Sequence, residues 1–465
     1  MKYVSTRGQA PALGFRDTVL AGLASDGGLY LPETYPQLSA DDIRAMRGKS
    51  YADIAIEVMW PFTGNEIDRS VFEEIVREAY ATFRHDAVCP LVQIDADLFV
   101  MELFHGPTLA FKDVAMQLIA RLMDHILIER NERATIVGAT SGDTGGAAID
   151  AFAGRERTDM FILFPDGRVS PVQRRQMTTN ASANIHALAV EGNFDDCQAL
   201  VKDMFNHTAF RDAVKLSGVN SINWARIMAQ VVYYFTTAVS LGAPERKVSF
   251  CVPTGNFGDI FAGYVAKQMG LPIDKLVIAT NDNDILARTL QTGTYEKRGV
   301  VKTTSPSMDI QVSSNFERLL FECHGRDAQA VRNAMDGLKQ QGSFTIADKA
   351  LAEMRESFSA GRCDVDTVTA VIAAKHTDNG YLLDPHTATA VHVGQIEKTQ
   401  ATPMVILGTA HPAKFPDAVE AASGVFPALP EWLGDLMERK EHYVPLSNDL
   451  KIVEGHILEH TRANQ

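Results

Sequence analysis

The stretch ATIVGATSGDTGGAAIDAFAG, residues 134 to 154, decides the fold class of this chain. A short apolar run enters a turn rich in Gly, Ser, Thr and Asp, and a segment with helical spacing follows. The same order recurs in VSFCVPTGNFGDIFAGYVAKQMG (248 to 270), KLVIATNDNDILARTL (275 to 290) and MVILGTAHPAKFPDAVEAAS (404 to 423). Repeated strand, turn and helix units from about residue 96 predict α/β architecture, with parallel sheets between helices and ligands at the carboxyl ends of the strands.

The glycine turns lie at that edge. A strand, a glycine-rich loop and a helix N-terminus aim backbone N–H groups and the positive end of a helix at one anion, so each turn suits a phosphate or a carboxylate. PTGNFGD (253 to 259) has neither the Gly-x-Gly-x-x-Gly of dinucleotide sites nor the Gly-Lys-Ser/Thr of a P-loop, and GATSGDTGG (138 to 146) also lacks both. The plainer reading of either is a tight connection in which glycine supplies positive φ.

The whole chain sets the limits. At 465 residues, and about 150 per domain, two or three domains are expected. Fifty-eight Asp and Glu against 44 Lys and Arg give a net charge of −14, which argues against nucleic acid and anionic membranes as partners. Any anionic ligand needs a local positive pocket. The 5 cysteines are scattered without a Cys-x-x-Cys pair, and the N-terminal MKYVSTRGQAPALGF has no apolar stretch, so a reduced, cytoplasmic protein is expected.

Within HGPTLAFKD (105 to 113), Lys112 stands among apolar, Gly and Pro residues. Taken alone it is a first-turn helix lysine with its amine in water; buried, it is an amine put to use. HILEH (456 to 460) matches the His-x-x-Glu-His spacing of some zinc proteases, but no third ligand accompanies it, and no metal is expected. The absence of a Gly-x-Ser-x-Gly elbow gives a serine hydrolase no support.

Taken together, STRG, DGGLYLP, HGPTLAFKD, GATSGDTGGAA, NSINWAR, PTGNFGD and GTAHPAKF, in this order from residue 5 to residue 415, closely resemble the threonine synthase family, in its longer bacterial and fungal kind. The resemblance implies pyridoxal 5'-phosphate as cofactor on fold type II, that of tryptophan synthase β: two open, twisted, parallel-rich sheets flanked by helices. It also implies conversion of O-phospho-L-homoserine and water to L-threonine and inorganic phosphate. Lys112 would carry the cofactor as a Schiff base, Gly255, Asn256, Phe257 and Gly258 would cradle its phosphate, and Thr409 would meet its pyridine nitrogen. Thr140, Ser141, Gly142, Asp143 and Thr144 would hold the substrate carboxylate, and Asn220, Ser221 and Arg226 its phosphate. Many relatives of this fold type have asparagine facing the cofactor ring oxygen where this chain has Asp143. SPSMDIQVSSNFER (305 to 318) shares the resemblance without an assigned role.

On this reading residues 1–95 form a smaller, mainly helical N-terminal domain. Residues 96–215 form a small cofactor domain with Lys112, and 216–465 a large α/β domain with the phosphate loop. The chain is expected as a monomer or homodimer. A neighbouring lyase of the same fold type, acting on another phosphorylated amino compound or on serine or threonine, is the alternative. NSINWAR speaks against the unphosphorylated substrates, which would leave a cationic pocket unused.

Overall fold

The computed structural model describes residues 1–463 apart from Ser141 and Ala401. Two twisted α/β layers carry the predicted repeats. Val248–Pro253, Met404–Gly408 and Thr158–Pro165 are buried at every position, as parallel strands covered by helices on both faces must be. The larger sheet has six strands in the order Phe358–Arg362, Ile273–Thr280, Val248–Pro253, Met404–Gly408, Leu98–Glu102 and Leu91–Asp95. All neighbours in it are parallel except the last pair. The smaller sheet runs Val444–Leu446, Ile185–Val190, Thr158–Pro165, Ala134–Ala139 and Leu216–Ser217, parallel throughout.

Two segments depart from the expected domain boundaries. Leu91–Asp95 and Leu98–Glu102 straddle residue 95 as one hairpin of the large sheet, because Leu98, Val100 and Met101 are fully buried and Met404–Gly408 covers that strand's other edge. The C-terminal segment crosses back to the small sheet. Val444–Leu446 extends it beside Ile185–Val190, and the helix Leu450–His460 buries Val453 and Ile457 against Val137, Phe161 and Leu188. Neither return crossing leaves a local signal in the sequence.

The N-terminal residues pack on the buried helix Trp224–Ser240, whose Trp224 ring lies 6.0 Å from Tyr3 and 5.7 Å from Phe62. Tyr3–Ser5 pairs with Tyr30–Pro32, and the Asp26 carboxylate accepts from the amides of Gln9, Ala10 and Gly28. STRG and DGGLYLP thus form one knot, fastened to the large domain by Arg7–Glu317 at 2.9 Å.

Candidate active site

The segments that follow the carboxyl ends of Leu98–Glu102, Met404–Gly408 and Ala134–Ala139 meet. Beyond Leu98–Glu102 and Met404–Gly408 the two connecting segments run antiparallel, bridged at Ala110 and Ala410. Phe111 N–H donates to the Thr409 carbonyl at 2.9 Å, and His411 N–H to that of Leu109 at 3.0 Å. This clamp places Lys112, first residue of the helix Lys112–Arg130, beside the buried Thr409. Asp113 braces the preceding turn by accepting from Thr108 N at 2.8 Å and Thr108 Oγ1 at 2.6 Å, while its burial pushes the carboxyl up to about 7.

Lys112 is buried, and its Nζ lies 3.5 Å from Asp143 Oδ2. The other oxygen, Oδ1, takes Gln173 Nε2 at 2.8 Å and Lys414 Nζ at 3.1 Å. Burial opposes charge on Asp143, yet Lys414, Lys112, the Gln173 amide and His386 together hold its carboxyl well below the usual range. Burial, seconded by Lys414 and Arg226 and opposed by Asp143, moves the Lys112 amine down from an ordinary lysine. Asp143, expected with the substrate carboxylate, thus has its side chain engaged by Lys112, Lys414 and Gln173. Among its expected partners in that role, Thr140 Oγ1 accepts from the amides of Gly142 and Gly145, each at 3.0 Å, shaping the loop before the helix Asp143–Phe152. Gly142 and half-buried Thr144 flank Asp143, and Ser141 lies outside the described residues.

The Gly255–Gly258 loop opens the helix Gly258–Gln268. Its left-handed residue is Phe257, with φ 63°, rather than a glycine; the buried ring packs edge-on against Phe316 at 5.3 Å, which offsets the strain. Gly255 is needed for closeness, since a Cβ there would stand 2.6 Å from the Ser307 carbonyl. Asn256 is exposed, and its carbonyl accepts from Asn315 Nδ2 at 2.9 Å. The same Nδ2 donates to the Ser221 carbonyl at 3.1 Å, and Ser313 Oγ to the Gly255 carbonyl at 2.6 Å. The 305–318 stretch, without a role in the sequence, is the tie between the glycine loop and NSINWAR.

Asn220 is exposed and Ser221 half-buried, whereas Arg226, in the first turn of Trp224–Ser240, is buried with Nη1 unpartnered. Burial brings its guanidinium down to about 10. Lys112, Lys414 and Arg226 against Asp143 leave an excess of buried positive charge, the local pocket an acidic chain requires of an anion binder. Asp259 lies beside the glycine loop, and burial pushes its carboxyl up to about 7.

A buried lysine clamped at the carboxyl edge of a parallel sheet, a glycine loop at a helix N-terminus and surplus buried cations fit pyridoxal phosphate, and with this topology they define an enzyme of fold type II. The matching family models agree: "Threonine synthase N terminus" over residues 2–80, "Pyridoxal-phosphate dependent enzyme" over 87–407 and "Threonine synthase, C-terminal" over 387–457. The chain belongs to the threonine synthase family. It is 52% identical to the threonine synthase of Pseudomonas aeruginosa, over 99% of this chain and 98% of that one. The pyridoxal-phosphate-bound crystal structure of threonine synthase from Brucella melitensis is 69% identical with TM-score 0.98, covering 100% of both chains. The crystal structure of threonine synthase from yeast is 40% identical with TM-score 0.94, covering 99% of this chain and 98% of that one.

Lys414, Asn315, Gln173 and His386 are the residues that reading the sequence left without a task. Lys414 did carry a signal: like Lys112, it stands after a short apolar run, in PAKF.

Proposed function

We propose that the substrate is O-phospho-L-homoserine, that Lys112 carries the cofactor, and that the products are L-threonine and inorganic phosphate. The observation that carries this is Arg226, the last residue of NSINWAR, a buried guanidinium with an unpartnered Nη1 in a site that already has cations to spare. Bound pyridoxal phosphate supplies an electron sink for negative charge at the substrate's Cα and Cβ.

The chain's own residues do the rest. Backbone amides of Gly255 to Gly258 bind one phosphate at a helix N-terminus, and the Thr409 hydroxyl sets the ring position without enforcing a protonated nitrogen. Arg226, with Asn220 and Ser221, binds the γ-phosphate and stabilises it as it leaves. The Thr140–Thr144 loop orients the carboxylate end through its backbone. Lys112, its amine lowered by burial, takes up and returns protons at Nζ. Water then adds at Cβ.

No helix among the described residues is long and apolar enough to cross a membrane, and all 5 cysteines are free and buried. The free cysteines support the proposal of a reducing, cytoplasmic setting, and the enzyme is proposed as a monomer or homodimer. The test supplies purified protein with O-phospho-L-homoserine and follows threonine and phosphate together. Arg226→Ala is expected to weaken substrate affinity on the order of tenfold to a hundredfold, as loss of charge-assisted bonds of about 1.5 to 3 kcal/mol requires, with the cofactor spectrum intact. Slow turnover of L-serine should be far less affected; equal damage to both would remove Arg226 from the phosphate pocket.

A further inference from the structure

The side chain of Lys414 is 0% exposed. Its Nζ donates to the Thr108 carbonyl at 2.7 Å and Gln176 Oε1 at 2.6 Å and pairs with Asp143 Oδ1 at 3.1 Å. A buried ammonium is tolerated only when paired and hydrogen-bonded, and the function proposed above gives this one no task. Its placement divides Asp143 in two. Oδ1 is spent on Lys414 and Gln173, and Oδ2 is left facing Lys112 at 3.5 Å.

We propose that Lys414 is a positioning residue for the reaction: it fixes Asp143 as an ionised acceptor with one oxygen reserved for Lys112, so that the Lys112 amine, whenever it is covalently free, is parked on Asp143 Oδ2 and still gives up its proton. Each half of the pair has its own effect. Asp143 alone, so close to an ammonium, would hold the proton on Lys112 and make it a poor base. Lys414 shares the carboxylate and opposes a second positive charge nearby, which restores the free amine. The charged groups facing the Lys112 amine are Asp143, Lys414 and Arg226, and the Phe111 ring centroid lies 5.0 Å from it; His386 acts on Asp143.

This inference rests on Lys112 being the working lysine, but its test does not. Full-length protein stripped of cofactor is labelled with a small amine-reactive acylating reagent across a pH series, and modification of the Lys112 peptide is read by mass spectrometry. Lys414→Met is expected to raise the half-labelling pH of Lys112 by about one pH unit, so that labelling below it falls about tenfold. Lys414→Gln, a second neutral variant, should move it the same way should the first fail to fold. Lys414→Arg should stay near the wild-type value, and Asp143→Asn should move it down. With cofactor restored, Lys414→Met should lower kcat with little change in KM. A purely structural Lys414 would give no such opposed pair. The proposal is overturned if neutral and cationic replacements share one half-labelling pH, or if Asp143→Asn shifts it in the same direction as Lys414→Met.

Discussion

Asn315 carries two loops on one side chain. Its amide holds the carbonyls of Asn256 and Ser221, and its oxygen accepts from Arg318, which in turn donates to the Tyr30 and Ile222 carbonyls. Asn315→Ala should therefore lower unfolding stability by about 2 kcal/mol in a denaturant titration, from lost bonds and a carbonyl left dry, and should weaken cofactor binding with it. Stability lost with cofactor affinity unchanged would show that the glycine loop stands without this tie. Such residues explain what the sequence hides. The two carbonyls that the Asn315 amide holds lie 59 and 94 positions away, so no local pattern marks them. Lys112, Thr409 and Arg226 drew attention through the joint resemblance of several motifs, not through any one residue, and the structure buries all three. The positive φ of this turn falls on Phe257 and not on a glycine, because packing on Phe316 lets a bulky residue take it.

The C-terminal helix Leu450–His460 meets the small sheet through histidines. His186 stacks on Phe161 at 4.3 Å, His460 approaches it at 5.6 Å, and His456 stacks on His460 at 4.1 Å. Among the described residues no group of three His, Cys, Asp or Glu is placed to hold a metal. Burial first, then His460, His456 and Arg462 against Asp159, bring His186 down to about 4. The unfolded imidazole protonates near 6.5, so between that value and about 4 the unfolded state binds more protons than the native one. The contribution of His186 is complete above about 6.5 and is lost as pH falls through that window. Amide exchange in residues 450–460, corrected for intrinsic rates, should be faster at pH 5 than at pH 7.5, and His186→Phe should remove most of the difference. Equal protection at both pH values would take His186 out of the docking of this helix. Nothing in HILEH marks the sheet that this helix covers.

At the scale of the molecule, the alternating units gave away the α/β layers, and the glycine turns the edge where the site lies. Strand order was beyond reach, because long crossings bring together residues that share no local signal. The last crossing can be tested by ending the chain at Tyr443, which removes Val444–Leu446 and the helix behind it. Burying Val453 and Ile457 is worth roughly 1.5 to 3 kcal/mol each, so the loss should be on the order of 5 kcal/mol with the strand included. Urea unfolding should become biphasic, with the small sheet melting first; one unchanged transition would mean the tail adds nothing. The strand order also governs how the enzyme emerges from the ribosome. Leu98–Glu102 waits for Met404–Gly408 as its parallel neighbour, and Lys112 waits for Thr409 to clamp its loop and Lys414 to complete its charge environment. Nearly nine-tenths of the chain must therefore be synthesised before the lysine at residue 112 has a pocket around it. Until then the nascent protein exposes two unfinished parallel sheets, the state most open to aggregation, and has no formed cofactor site whose occupancy could stabilise it.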